Sequence, residues 1–115
     1  MARQKLQNYL RTYRKRAGFS QDEMAFLLGT RGGSKISLYE RFMRGPSLDI
    51  VLAYEIIFGK PASRLFAGLC GEIQQRVVER ARVLAHKAKR ERPSTENTRK
   101  LKVLEGLIHK YSKQS

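Results

Sequence analysis

The stretch FSQDEMAFLLGTRGGSKISLYER, from Phe19 to Arg41, holds two short apolar-patterned segments joined by Gly29-Thr30-Arg31-Gly32-Gly33. Its opening Ser-Gln-Asp-Glu places Glu23 three residues after Ser20. That spacing is a capping box, in which serine and glutamate side chains satisfy backbone N–H groups of the first turn reciprocally. Asp22 and Glu23 also sit at the positive end of the helix they begin. Met24, Ala25 and Leu28 supply one apolar face, and Gly29 ends the segment. The second segment predicts a helix over residues 34–41, with Ile36 and Tyr39 turned inward.

Helical spacing continues on both sides of this stretch, and the alternating pattern of strands is almost absent. A first helix is expected over 5–16, with Leu6, Leu10, Tyr13 and Ala17 on one face and Gly18 as its stop. After Gly45-Pro46, Ser47 is placed to cap a fourth helix bearing Leu48, Val51, Leu52 and Ile56, closed by Gly59. Pro61 lies near the start of a fifth, with Leu65, Phe66 and Leu69 inward. That helix is free to run on, because residues 72–90 contain neither proline nor glycine. Ile73, Val77, Ala81, Leu84 and Ala88 form a stripe along them. Pro93 interrupts it, and Ser94 or Thr95 can cap a last helix over 96–111. Leu101, Leu104, Ile108 and Tyr111 mark its apolar face. The expected fold is all-α: five helices over 1–71, the second and third joined by a tight turn, then two amphipathic helices over 72–115. Five short helices so joined describe a helix-turn-helix DNA-binding domain, since a groove about 12 Å wide admits one helix protruding from a small rigid body.

Charge points the same way. The 115 residues carry 24 Lys and Arg against 10 Asp and Glu, a formal charge of +14. Residues 1–71 and 72–115 each hold 12 basic and 5 acidic side chains, so each contributes +7. Such an excess suits a polyanion: nucleic acid first, an anionic membrane surface second. Other classes find little support. Cys70 is the one cysteine, which fits a reducing compartment and, set among Phe66, Leu69 and Ile73, a small apolar role. No Cys or His pair has zinc spacing, so neither metal nor cofactor is expected. No apolar run is long enough to span a bilayer and no signal-like segment follows the N-terminus, so a cytoplasmic location is expected. An enzyme is not expected, since nucleophile–base pairs, paired carboxylates and a phosphate-binding glycine loop after a strand are all missing.

Taken together, Ser20-Gln21-Asp22-Glu23-Met24-Ala25, Leu28-Gly29, Ile36-Ser37-Leu38-Tyr39-Glu40-Arg41, Pro46-Ser47-Leu48, Gly59 and Leu65-Phe66 resemble the XRE helix-turn-helix family of phage-repressor type, over about residues 6–68. The resemblance implies that Gln21 holds a DNA phosphate and that Gly33, Ser34, Lys35 and Leu38 read base edges at the start of the third helix. It further implies that Arg41 and Arg44 approach the backbone just past that helix, and that Arg14 pairs with Glu40 as a structural brace. Ser37 on the same helix is a further candidate contact, and Arg31, beside flexible glycines, can reach bases or backbone. Two departures stand out. Thr30-Arg31-Gly32-Gly33 makes the turn one residue longer than usual, so a looser joint is expected. Glu55 occupies a place where the family tends to have a small residue, and an arginine partner is expected for it. Gly33 and Leu38 offer little to a base edge beyond contact with a thymine methyl, which leaves room for shape readout.

The last two stripes must bury against something. One option is a homodimer through Val77, Ala81, Leu84, Leu101, Leu104, Ile108 and Tyr111, matching paired half-sites on DNA. The other is a hairpin within one chain. The function expected is a dimeric transcriptional repressor on an inverted repeat. The alternative is an antitoxin-like protein whose C-terminal helices hold a partner protein. A membrane-surface role is disfavoured, because the stripe over 72–90 lacks the Trp and Phe that anchor at interfaces.

Overall fold

A computed structural model describes residues 8–112. Among them are seven α-helices and no strand: α1 (Leu10–Ala17), α2 (Gln21–Leu28), α3 (Gly32–Glu40), α4 (Leu48–Phe58), α5 (Ala62–Leu65), α6 (Ala67–Lys89) and α7 (Thr95–Ser112). No helix among the described residues is long and apolar enough to cross a membrane. The chain divides into two compact units, with the boundary between Cys70 and Gly71.

In unit 1 the helix ends follow local chemistry. Ser20 accepts from the Glu23 N–H at 3.0 Å, and the Glu23 carboxylate accepts from the Ser20 N–H at 2.9 Å, completing the capping box. Gly18, Gly29 and Gly59 close α1, α2 and α4 in the left-handed conformation that glycine adopts without strain. The first helix begins later than expected. Asn8 Oδ1 accepts from the Leu10 N–H at 3.1 Å, while its Nδ2 donates to the Tyr39 carbonyl at 3.0 Å. This buried asparagine thus caps α1 and ties it to α3. Leu6, expected on the apolar face, lies outside the described residues. Ala17, expected beside it, is exposed.

The core gathers Leu10, Met24, Ala25, Leu28, Ile36, Tyr39, Ile50, Tyr54, Leu65 and Phe66. Three corrections concern α4. Its buried face is Ile50 and Tyr54, with Val51, Ile57 and Phe58 at the margin, whereas Leu48, Leu52 and Ile56 are exposed. Nine of the eleven residues in LDIVLAYEIIF are apolar, so spacing alone offers more than one stripe. The face bearing Tyr54 is the one that closes the core. Ser47 holds the N-cap position, but its hydroxyl donates to Asp49 instead of accepting from the backbone. That bond holds the Asp49 carboxyl below its ordinary range. Glu55 finds a backbone partner and, among the described residues, no arginine: its carboxylate accepts from the Ala62 N–H. Pro61, the N-cap of α5, carries no side-chain acceptor, and Glu55 supplies one. The fifth helix is a single turn, broken at Phe66 before α6 begins.

In unit 2, α6 and α7 fold back as a hairpin. Ser94 accepts from the Asn97 N–H at 3.0 Å and so caps α7. Asn97, itself buried, donates through Nδ2 to the Ala88 carbonyl at 2.8 Å, satisfying a carbonyl at the end of α6. The seam packs Ala81 and Ala85 against Leu104, with Leu101, Leu107 and Ile108 alongside. The expected stripe is therefore rotated. Ala81 and Ala88 are buried with Val78 and Ala85, but Ile73, Val77 and Leu84 stay near 45% exposed. The alanine face of α6 is the one that packs against the leucines of α7. Of the residues expected to join two copies, Ala81, Leu101, Leu104 and Ile108 are occupied within one chain. Tyr111 is half-buried, and Val77 and Leu84 remain exposed.

Candidate nucleic-acid interface

Among the described residues, α2 and α3 make the most extensive contact of any two helices. Gly29 turns the chain out of α2: its N–H meets the Phe26 carbonyl, and the Thr30 N–H meets the Ala25 carbonyl at 2.9 Å. Arg31 is extended and Gly32 takes a positive φ of 66°. The joint is not loose. The Gly33 N–H donates to Asp22 Oδ1 at 2.8 Å, so an acid in the first turn of α2 caps the start of α3. A Cβ on Gly33 would lie 2.8 Å from Asp22 Oδ1 and 2.9 Å from the Gln21 Cβ. Gly33 is thus the point where α3 meets α2 backbone closely, and it offers a partner no side chain.

Beneath this joint lies a buried polar brace. Arg14 Nε and Nη2 donate to the two Glu40 carboxylate oxygens at 2.6 and 3.2 Å, and Nη1 donates to the Phe19 carbonyl at 2.8 Å. The two side chains are 8% and 2% exposed. Gln21, expected to hold a phosphate, donates through Nε2 to Glu40 Oε1 at 3.3 Å. One carboxylate therefore binds side chains from α1 and α2 while standing on α3. Buried charge is costly unless paired and hydrogen-bonded, and here the fork geometry of arginine meets both oxygens. Tyr54 is also fully buried, and burial, reinforced by the Glu40 charge, pushes its phenol well up. Its hydroxyl has no hydrogen-bond partner among the described residues.

With Ile36 and Tyr39 held inside, α3 presents its opposite side outward. Ser34, Lys35 and Arg41 are exposed there, as are Arg31 just before the helix and Arg44 just after it. Leu38 is half-buried between them. Ser37, expected at the reading edge, is also half-buried and accepts from Arg41 Nε at 3.2 Å. The helix ends in a reverse turn in which the Met43 N–H bonds the Leu38 carbonyl at 2.8 Å. Phe42 there takes a positive φ of 56°, a conformation disfavoured by side chains; nothing in the structure explains why a phenylalanine occupies it.

A cleft of about 630 Å³ opens where the starts of α2 and α3 converge, lined by Arg11, Gln21, Asp22, Gly33 and Ser34 among others. Arg11 belongs to the basic run Arg11, Arg14, Lys15, Arg16, which by sequence reads equally well as a solvated face of α1 and as a surface near phosphates. Asp22 was read only as a helix-end charge; that it reaches across the turn depends on how α2 and α3 cross. Among the described residues no group of three or more His, Cys, Asp or Glu side chains is arranged to hold a metal ion. No family model matches the chain, and neither a curated protein nor a solved structure does.

Proposed function

We propose that the chain is a sequence-specific DNA-binding regulator of helix-turn-helix type, with α2 as the bracing helix and α3 as the helix that enters the major groove. One observation carries this reading: α3 is locked on its inner side by Glu40 and Gly33 and keeps Ser34, Lys35 and Arg41 exposed on the other. The surrounding charge of +14 supplies the attraction to phosphate. Arg31, Arg41 and Arg44 flank the groove-facing residues, where they serve the backbone. Lys35 and Ser34 are the base contacts, and Leu38 is suited to a thymine methyl. Since Gln21 is engaged by Glu40, phosphate at the start of α2 falls to its remaining amide hydrogen and to Arg11.

The simplest regulator of this kind is a dimeric repressor occluding a promoter. Val77 and Leu84 are left exposed by the hairpin, as are Ile73, Val83 and Val103, and are available for joining copies. The same exposure favours the second reading, an antitoxin-like protein whose residues 72–115 hold another protein. Retention on a random-sequence DNA pool at two salt concentrations, followed by sequencing, tests the first reading. The expected outcome is an inverted repeat with half-sites about 34–36 Å apart. Salt-sensitive retention with no enriched sequence would reduce the domain to charge-driven binding and favour the second.

A further inference from the structure

Leu48, Leu52 and Ile56 follow one another at four-residue spacing along α4 and stay 72%, 47% and 82% exposed. Single apolar side chains scattered over a surface are ordinary, whereas a contiguous row marks an interaction surface. The row is also free of basic charge: Leu48–Phe58 contains no Lys or Arg, in a chain of formal charge +14. Its two acids sit off the row. Glu55 is turned to the Ala62 N–H, and Asp49 stands at the N-terminal end. Other exposed apolar groups have charge among them. Val77, Val83 and Leu84 of α6 share their surface with Arg80 and Lys87 at three- and four-residue spacing. Phe26 and Leu27 of α2 line one cleft with Asp22 and Glu23.

We propose that this row joins two copies of the chain, α4 against α4, antiparallel about a twofold axis near Leu52. The inference rests on the dimeric reading above and deepens it, moving the joining surface from residues 72–115 to unit 1. Three arguments select a second copy as the partner. First, two chains of like charge meet with least repulsion where neither presents Lys or Arg. Second, a twofold contact must be self-complementary, and this row is: Leu52 meets its own copy at the axis while Leu48 meets Ile56. The same arrangement sets the Asp49 end of one row beside the far end of the other, where Lys60 follows Gly59. Neither Asp49 nor Lys60 has an ion-pair partner among the described residues. Antiparallel helices also oppose their dipoles favourably. Third, α4 and α3 share one core, since Ile50 and Tyr54 lie in the same buried cluster as Ile36 and Tyr39. A joint on α4 therefore fixes the distance between two α3 helices, as paired half-sites on DNA require.

A row of three side chains is smaller than the roughly 20–30 residues a side of a stable interface. The dimer is therefore weak in free solution and is reinforced when two half-sites lie on one duplex. The test is sedimentation velocity of the full chain from about 1 µM to about 1 mM, the span of weak association. Wild type is expected to pass from monomer to dimer within it. L52E places two carboxylates at the axis and should weaken association by more than about tenfold. L48E/I56E, changed at the two most exposed positions of the row, should do the same with an unaltered thermal melt, which separates a lost contact from a lost fold. V77E/L84E keeps the wild-type association. A wild-type monomer at every concentration, or association that survives in both α4 variants, overturns the α4 joint. So does loss of association in V77E/L84E alone. Retention on DNA, measured alongside, separates the two readings. A dimer that retains no DNA overturns the regulator and leaves the α4 joint, while a monomer that retains DNA overturns the joint and leaves α3 as the DNA-binding element.

Discussion

The two units are held together by different chemistry. In unit 1 the position of α3 is set by directional bonds: a bidentate Arg14–Glu40 pair, Gln21 on the same carboxylate, Asp22 on the Gly33 N–H and Asn8 on the Tyr39 carbonyl. In unit 2 the hairpin seam is mostly alanine and leucine, with one buried directional bond at its closed end, Asn97 to the Ala88 carbonyl, and the exposed ion pair Lys89–Glu105, whose side chains are 60% and 53% exposed. Apolar contact is tolerant of small rotations, while a bidentate ion pair is not. On the DNA-binding reading proposed above, α3 presents particular side chains to a rigid groove, which calls for the second kind of restraint. A hairpin that only has to cover its own apolar face can use the first.

The comparison is broken most directly at Glu40. Glu40→Ala leaves the Arg14 guanidinium buried without a counter-charge, and a loss of about 3–5 kcal/mol is expected in urea unfolding of the full chain. An Arg14→Met/Glu40→Leu double variant should recover most of it. A single-variant loss below about 1 kcal/mol would show that the brace contributes no more than a surface pair. Next comes the seam. Leu104→Ala opens a cavity against alanines that have little to fill it with, costing about 2–4 kcal/mol. Hydrogen exchange should accelerate over residues 95–112 and stay unchanged over 8–70; equal acceleration in both would contradict the separateness of the two supports.

Gly33→Ala is expected to cost about 1–3 kcal/mol, because the new Cβ meets the Gln21 Cβ and the Asp22 carboxylate. Its amide shifts should concentrate in the first turns of α2 and α3, and a thermally silent substitution would mean the close approach is relaxed in solution. The smallest effect is a gain. Tyr54→Phe removes a buried hydroxyl that has no partner, which should stabilise the protein by about 1 kcal/mol. The wild-type phenol is raised by burial, so its contribution is intact below about pH 10, the unfolded value. Stability then falls as pH rises toward the folded value. Tyr54→Phe should flatten that alkaline decline in melts across the range; an identical decline would place its cause in another group.

The helix ends were legible because caps are local: Ser20 with Glu23, Gly18, Gly29, Gly59 and Ser94 each act within a few residues. The Arg14–Glu40 pair came from a family resemblance, and the structure supplies its geometry. What could not be read were the faces. On α4 nearly every position is apolar, so Leu48, Leu52 and Ile56 were indistinguishable by spacing from Ile50 and Tyr54. On α6 the larger side chains Ile73, Val77 and Leu84 outweighed alanines in a hydrophobicity pattern, although Ala81 and Ala85 are the ones that pack with Leu104. The cross-turn roles of Asp22 and Gly33, and the capping of α5 by Glu55, were equally hidden, since each links residues between elements.

By itself, then, the sequence determined most of the helices and their glycine stops, the excess of positive charge and the short joint between α2 and α3, but not the break at Phe66. These depend on backbone preference and on side chains a few residues apart, which no tertiary context is needed to evaluate. Only the tertiary structure decided which stripe of a largely apolar helix turns inward, that Glu40 gathers both Arg14 and Gln21, and that Asp22 reaches the Gly33 N–H. Those outcomes depend on which surfaces close together with least void and no unpaired charge, a comparison among whole packings that periodicity along one helix does not contain.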